Sequence, residues 1–283
     1  MDSTYKANDD LPVLGGLAFV YLLSLLIAGL IVVLSVAGIL YPTAIYPTTE
    51  LLEGFLPNDV VNLLIGVPIL LGSMWLTNRR NLVGVLFWPG ALFYEFYTYL
   101  VYVLGMQLNF AFLGYLTVVM LSGYTLIGLV AQIDQEAVHQ RLSGRVPEKA
   151  SGGVLAGLGL LFLVLTTSAM IGAIINQTPV GDVDLALRIT DFLLTPTWII
   201  GGALLWRRRA FGYITALGLL FQASMLFIGL IAILIIQPLI AAVPFALLDV
   251  LVVAVMGLIC FIPLTLFIRG ASLNRTSTSP QVR

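Results

Sequence analysis

The chain holds one cysteine (Cys260) and one histidine (His139) in 283 residues. A single cysteine excludes an internal disulfide and a thiol relay. A lone histidine excludes bis-histidine haem ligation and leaves a buried zinc site without its usual ligand set. Charge is scarce too: 10% of residues are Asp, Glu, Lys or Arg, against about 25% in soluble domains. There is no Walker A loop, dinucleotide fingerprint, HExxH, DDxxD-type metal cluster or Gly-x-Ser-x-Gly elbow, so no motif marks an enzyme. Spans with paired catalytic carboxylates at fixed spacing are also missing. No cofactor, metal or nucleic-acid partner is expected.

What fills the chain instead is apolar. Hydrophobic residues make up 60% and mean hydropathy is +1.05. A soluble chain of this composition would have nothing to cover its surface with, so its solvent is the lipid bilayer. Runs of roughly 18 or more apolar residues suit membrane helices, and the alternating segments of a β-barrel are absent. The expected fold class is all-α: a polytopic transmembrane helix bundle. Hydropathy predicts eight spans, at about 12–40, 59–77, 82–104, 109–132, 152–175, 187–206, 210–236 and 243–268. The first run is too long for a signal-peptide core and lacks a basic flank, so it is read as a retained span. Residues 1–11 and 269–283 are then tails, 12–132 and 152–268 two four-span halves, and 133–151 a charged linker.

Charge orients these spans. "TNRRN", "QIDQEAVHQRLSGRVPEK" and "WRRRA" follow the second, fourth and sixth spans, while the intervening connections hold no Lys or Arg. With Lys6 and the C-terminal arginines counted on the same face, 12 of the 13 Lys and Arg lie there; Arg188 is the exception. Only six of the 14 acids join them. The positive-inside rule places that face, and both termini, in the cytoplasm, and the protein in the cell membrane. Arg79, Arg80, Arg207, Arg208 and Arg209 read as topology determinants and lipid-headgroup contacts.

Residues 68–84, "PILLGSMWLTNRRNLVG", overlay 196–212, "PTWIIGGALLWRRRAFG", without a gap. Pro68 meets Pro196, Arg79 and Arg80 meet Arg207 and Arg208, Gly84 meets Gly212, and further on Gly90 meets Gly218. The expectation is a parallel 4+4 repeat about an axis along the membrane normal; convergence of two short arginine hairpins is the alternative. The Pro…Trp-Leu…Arg-Arg…Gly hairpin, its aromatic helix and the later "LLWRRRAFGY" hairpin resemble multi-pass proteins of prokaryotic genomes. That family has no assigned activity, so the resemblance implies no function.

The chemistry-bearing residues are acids within the spans. An ionisable side chain at membrane depth costs about 2.5–3.5 kcal/mol or more and usually faces a bundle interior or a wet cavity. Glu95 stands 13 residues past Leu82 in "FWPGALFYEFYTYLVYVLG", roughly 20 Å along its helix. Trp88, Tyr99 and Tyr102 share its face, and the two phenols are expected to donate to the carboxylate. Asp191, Arg188, Asp249, Asn62 and Gln222 fall in the same outer half, so an outward-facing polar vestibule with a proton-titratable acid is predicted. Asp59 reads as opening the second span at its edge. Arg188 has Asp184 and Asp191 within one turn and is neutralised there unless it reaches an anion or Glu95.

Three functional classes follow. The first is a small-molecule or cation transporter, proton-coupled through Glu95. The second is a non-catalytic membrane subunit or scaffold that holds a lipid, quinone or pigment, alone, as a homo-oligomer or in a larger complex. The third is an enzyme acting on a lipid-linked substrate with Glu95 or Asp249 as general base.

Overall fold

In hydrocarbon every backbone N–H and C=O must be satisfied within the chain, which leaves the helix as the solution for long apolar runs. The computed structural model describes residues 11–240 and 244–272. Lys6, Asp2, Asp9, Asp10, Arg275 and Arg283 lie outside the described residues. Helices follow in the order α1 (Ala18–Leu40), the single turn α2 (Pro42–Ile45), α3 (Thr49–Val61), a π-helical segment (Asn62–Gly66) and α4 (Val67–Asn78). Then come α5 (Leu82–Gly105), α6 (Phe110–Gln132), α7 (Gln135–Leu142), α8 (Glu148–Asn176), α9 (Asp182–Trp206), α10 (Ala210–Ile240) and α11 (Leu247–Ser272). An isolated bridge between Val13 and Ile133 is the one β-contact among the described residues.

Seven of these are long and apolar enough to cross a membrane: α1, the continuous rod from α3 to α4, α6, α8, α9, α10 and α11. The protein is an integral, multi-pass membrane protein. The packing reflects a lipid solvent: α1 buries Ser24, Ser35 and Gly38 beside Ile27 and Ile31, and exposes Phe19, Leu22, Leu25 and Val33. Where lipid is as apolar as leucine, small and hydroxylated residues belong at helix contacts. Helix α5, with 24 residues, is longer than α1 and α6, at 23 each, but its tyrosines, Pro89 and Glu95 dilute its apolar character. It is the interior helix, packed against α4, α6, α9 and α10.

Glycines set the central crossing. A Cβ on Gly90 of α5 would strike the backbone carbonyl of Gly218 on α10, and one on Gly218 would press on the backbone of Leu86 and Gly90. The two backbones therefore touch. At the arginine end, two hairpin turns close alike. Arg80 and Arg208 take left-handed φ values of 56° and 55°. Arg79 N–H donates to Trp75 O, Arg80 to Thr77 O and Asn81 to Leu76 O; Arg207, Arg208 and Arg209 donate to Ala203, Leu205 and Leu204 in the same pattern. Gly84 and Gly212 admit the preceding helix end, since a Cβ on either would collide with its backbone.

The two largest departures from the hydropathy reading are at helix starts. The second span begins at Thr49 rather than 59, because Thr48 caps it by accepting from Leu51 N–H at 3.3 Å. Pro57 inside it supplies no N–H for Glu53 O, and Gln237 of α10 donates to that carbonyl instead at 3.4 Å. The first helix starts at Ala18 rather than 12, since Leu14 N–H donates to Gln132 O and Asp134 N–H to Pro12 O. Within 133–151, Asp134 caps α7 by accepting from Glu136 and Ala137 N–H at 3.1 and 3.0 Å.

Candidate functional site

Helix α5 presents different chemistry on two sides. On the side towards α1 and the α3–α4 rod stand Trp88, Glu95, Tyr99 and Tyr102, all fully buried. Trp88 Nε1 donates to Ser24 Oγ at 3.1 Å. Tyr102 Oη donates to Asp59 Oδ1 at 2.9 Å and to Phe55 O at 3.2 Å. Tyr99 Oη lies 3.4 Å from Ser35 Oγ and accepts from Asn62 Nδ2 at 3.4 Å.

The two phenols therefore do not donate to Glu95, contrary to the helical-face expectation. They reach past it to Ser35 of α1 and to the α3 end of the rod. Both Glu95 oxygens are buried without a hydrogen-bond partner, and so is Asn62 Oδ1. The carboxylate lies against Gly66, where a Cβ would come within 2.8 Å of Oε1. Gly66 and Asn62 are the two ends of the π-helical segment. Such segments interrupt the regular ladder and recur at functional sites.

Asp59 is the residue the sequence reading undervalued. It sits ten residues into the helix that starts at Thr49, with 1% of its surface exposed. Tyr46 Oη donates to its Oδ2 at 2.5 Å, and Tyr115 Oη lies 3.4 Å from Tyr46 Oη. The Ser35 hydroxyl lies in electrostatic reach of the same carboxylate. Gly38 makes room, since a Cβ there would overlap the Asp59 carboxylate and the Tyr46 hydroxyl. The signal was the mixed stretch from Glu50 to Asn62, whose Glu50, Glu53, Asn58 and Asp59 lower hydropathy while the helix continues.

The opposite side of α5 borders a cavity of about 350 Å³ between α3, α5, α9 and α10, with Phe162 of α8 also on its wall. It lies in the half of the bundle remote from the arginine hairpins. Most of the wall is apolar, with Phe93, Val101, Leu194 and Phe227 among its residues. Glu53, Asn58, Thr98, Thr195 and Gln237 also line it, and two hydrogen-bonded polar pairs face it. Tyr97 Oη donates to Asp191 Oδ1 at 2.6 Å, and Trp198 Nε1 donates to Gln222 Oε1 at 2.8 Å.

Of the residues predicted to share one vestibule, Asp191 and Gln222 line this cavity. Glu95, Trp88, Tyr99, Tyr102 and Asn62 gather on the other side of α5. Arg188 donates Nε to Asp184 at 2.9 Å, in an ion pair that is only part-buried. Asp249 is exposed in the first turn of α11. The arginines of both hairpins are exposed; Arg79 lies 4.2 Å over the Trp75 ring and Arg208 pairs with buried Glu148 at 3.9 Å.

Comparison with known proteins finds no matching family, no similar curated protein and no solved structure of similar fold. The resemblance of the arginine hairpins to prokaryotic multi-pass proteins therefore stands on those residues alone.

Proposed function

We propose that the protein is a small-molecule transporter of the cell membrane whose substrate site is the cavity beside Asp191. The observation that carries this reading is the cavity itself. It is of the size of small-ligand pockets, about 300–1,000 Å³, which pair apolar walls with a few placed polar groups. Its hydrogen-bond inventory selects the ligand class. The Tyr97 hydroxyl and the Trp198 indole N–H are already spent on Asp191 and Gln222. Besides these pairs a guest meets the Glu53 carboxylate and the Asn58 and Gln237 amides, so the wall holds two acids, Asp191 and Glu53, and no basic residue. A ligand with an apolar body and one cationic head fits this pair of carboxylates better than a neutral quinone does.

The surrounding architecture in this reading is eight spans, with α5 as the eighth, both termini and the arginine hairpins in the cytoplasm, and a parallel repeat relating α5 to α10. The like-patterned turns at Arg80 and Arg208 and the Gly90–Gly218 crossing support it. Glu95, one side of α5 away from the cavity, supplies the proton-handling acid.

The test is calorimetric titration of the detergent-purified protein with phenylbutyltrimethylammonium and with the hydrocarbon in which carbon replaces its nitrogen. The charged probe should bind, and Asp191→Asn should weaken it about tenfold, equivalent to about 1.4 kcal/mol, while the hydrocarbon is indifferent to the substitution. Equal loss of both probes would favour an apolar-ligand scaffold. No binding of either would remove the cavity as a substrate site.

A further inference from the structure

The second buried acid, Asp59, has no part in the cavity, yet a cluster of hydroxyl groups surrounds it. It faces Tyr46 from the α2–α3 connection, Ser35 from α1, Tyr99 and Tyr102 from α5, and Tyr115 from α6. Hydroxyl donors of this kind stabilise a carboxylate in its ionised form. Glu95 is its opposite. It is equally buried, receives no donor, and has Tyr94 and Tyr99 as its nearest ionisable neighbours. An unpaired charge there would bear the full cost of desolvation, whereas a neutral acid bears far less.

Between the two stands Tyr99. It lies in electrostatic reach of both carboxylates. Its hydroxyl is in contact with Ser35, which lies in electrostatic reach of Asp59, and with Asn62, one turn of the π-segment from the Gly66 that abuts Glu95. Three acceptor atoms at the inner end of this path, both Glu95 oxygens and Asn62 Oδ1, are buried and unpartnered. Buried water typically serves such groups.

We propose that Asp59, Ser35, Tyr99 and Glu95 form a proton relay through which Glu95 exchanges its proton with the Asp59 end of the bundle. A proton leaves the Asp59 carboxylic acid for the Ser35 hydroxyl. Ser35 passes its own proton to Tyr99, and Tyr99 passes its own, through one water held by Asn62, to the Glu95 carboxylate. Each hydroxyl gives one proton as it takes one, so the path is unchanged afterwards. Asp59 ends ionised and Glu95 neutral, and the pair carries one negative charge before and after. The relay enters from the side of α5 away from the cavity, so a substrate at Asp191 would not block it. This deepens the transporter reading and rests on it only for its biological use.

The exchange itself is measurable without substrate. In reconstituted protein transferred to D2O, the Glu95 carboxyl C=O infrared band, assigned by its loss in Glu95→Gln, shifts as its proton is replaced by deuterium. The relay predicts that Tyr99→Phe and Asp59→Asn each slow this shift at least tenfold, while Tyr97→Phe on the cavity side leaves its rate within twofold of the parent. Ser35→Ala, a smaller perturbation than either, should slow it as well and guards against a folding artefact at Asp59. Parent-like exchange in Tyr99→Phe and Asp59→Asn would overturn the relay, as would slowing in Tyr97→Phe alone, which would route the proton through the cavity. Absence of a band lost in Glu95→Gln would overturn it too, because Glu95 would then not be a buried acid. Tyr99, Asp59 and Ser35 lie outside the cavity and their variants leave probe binding at Asp191 unchanged, so failure of the relay and failure of the transporter reading are separable.

Discussion

Replacing Tyr46 by phenylalanine deletes the shortest hydroxyl contact to Asp59, 2.5 Å, and keeps the ring that stacks on Phe55. A hydrogen bond to a charged acceptor contributes about 1.5–3 kcal/mol, whereas hydrogen bonds between membrane helices average about 0.6 kcal/mol. Tyr115 touches the Tyr46 hydroxyl at 3.4 Å rather than the carboxylate itself, so its hydroxyl belongs in the lower class. Tyr102, at 2.9 Å from Asp59 and 3.2 Å from Phe55 O, belongs in the upper one. Tyr46→Phe and Tyr102→Phe should thus each cost about 2 kcal/mol, and Tyr115→Phe about 0.6 kcal/mol or less. Reversible unfolding in mixed micelles, followed by circular dichroism, reads these differences. In an Asp59→Asn background the acceptor is neutral, and the Tyr46→Phe penalty should fall to about 1 kcal/mol or below. Equal losses for Tyr46→Phe and Tyr115→Phe, or a Tyr46→Phe penalty undiminished by Asp59→Asn, would refute the claim that these hydroxyls serve a charged Asp59.

Further predictions concern the helix crossing and the residues outside the site. Gly90→Ala drives a Cβ into the Gly218 backbone, which has no flexible end to yield, so it should destabilise by about 1–3 kcal/mol. Gly128→Ala meets no atom within 4 Å and should instead stabilise by about 0.5–1 kcal/mol; the two are compared by the same unfolding measurement. Gly66→Ala, whose Cβ would press on Glu95 Oε1, should displace that side chain and alter the Glu95 infrared band without changing probe affinity at Asp191. Arg188→Gln removes a part-buried ion pair with Asp184 and should change stability by about 1 kcal/mol or less. Asp249→Asn, at an exposed position, should leave probe binding within twofold of the parent.

Most helix positions were legible in the apolar runs. The predicted span 109–132 became Phe110–Gln132, and 82–104 became the helix Leu82–Gly105, which is not among the seven apolar enough to cross a membrane. The N-terminal extension of the second rod was not, since Glu50, Glu53, Pro57, Asn58 and Asp59 dilute the apolar signal that marks a span. A cap at Thr48 and a rescue of the Glu53 carbonyl by Gln237 hold that stretch helical, and the second is a long-range contact invisible to local pattern. The same limit governs the site. Helical spacing placed Trp88, Tyr99 and Tyr102 on the Glu95 face. It could not show that a tyrosine's reach carries its hydroxyl past the neighbouring turn to Asp59, Ser35 or Asn62 on other helices. Nor could it separate Asp191 from Glu95, because that needs the position of α9 relative to α5. Asp249 shows the converse: depth along a helix does not reveal which way its side chain faces.

Uptake by proteoliposomes tests the transporter reading most directly. Vesicles containing the protein, given radiolabelled phenylbutyltrimethylammonium outside and a proton gradient across the membrane, should accumulate the probe above protein-free vesicles. Asp191→Asn should remove that accumulation by weakening binding, and Glu95→Gln should remove its dependence on the gradient while leaving probe affinity intact. Accumulation no greater than in protein-free vesicles, or parent-like and equally gradient-dependent uptake by both variants, would contradict the account.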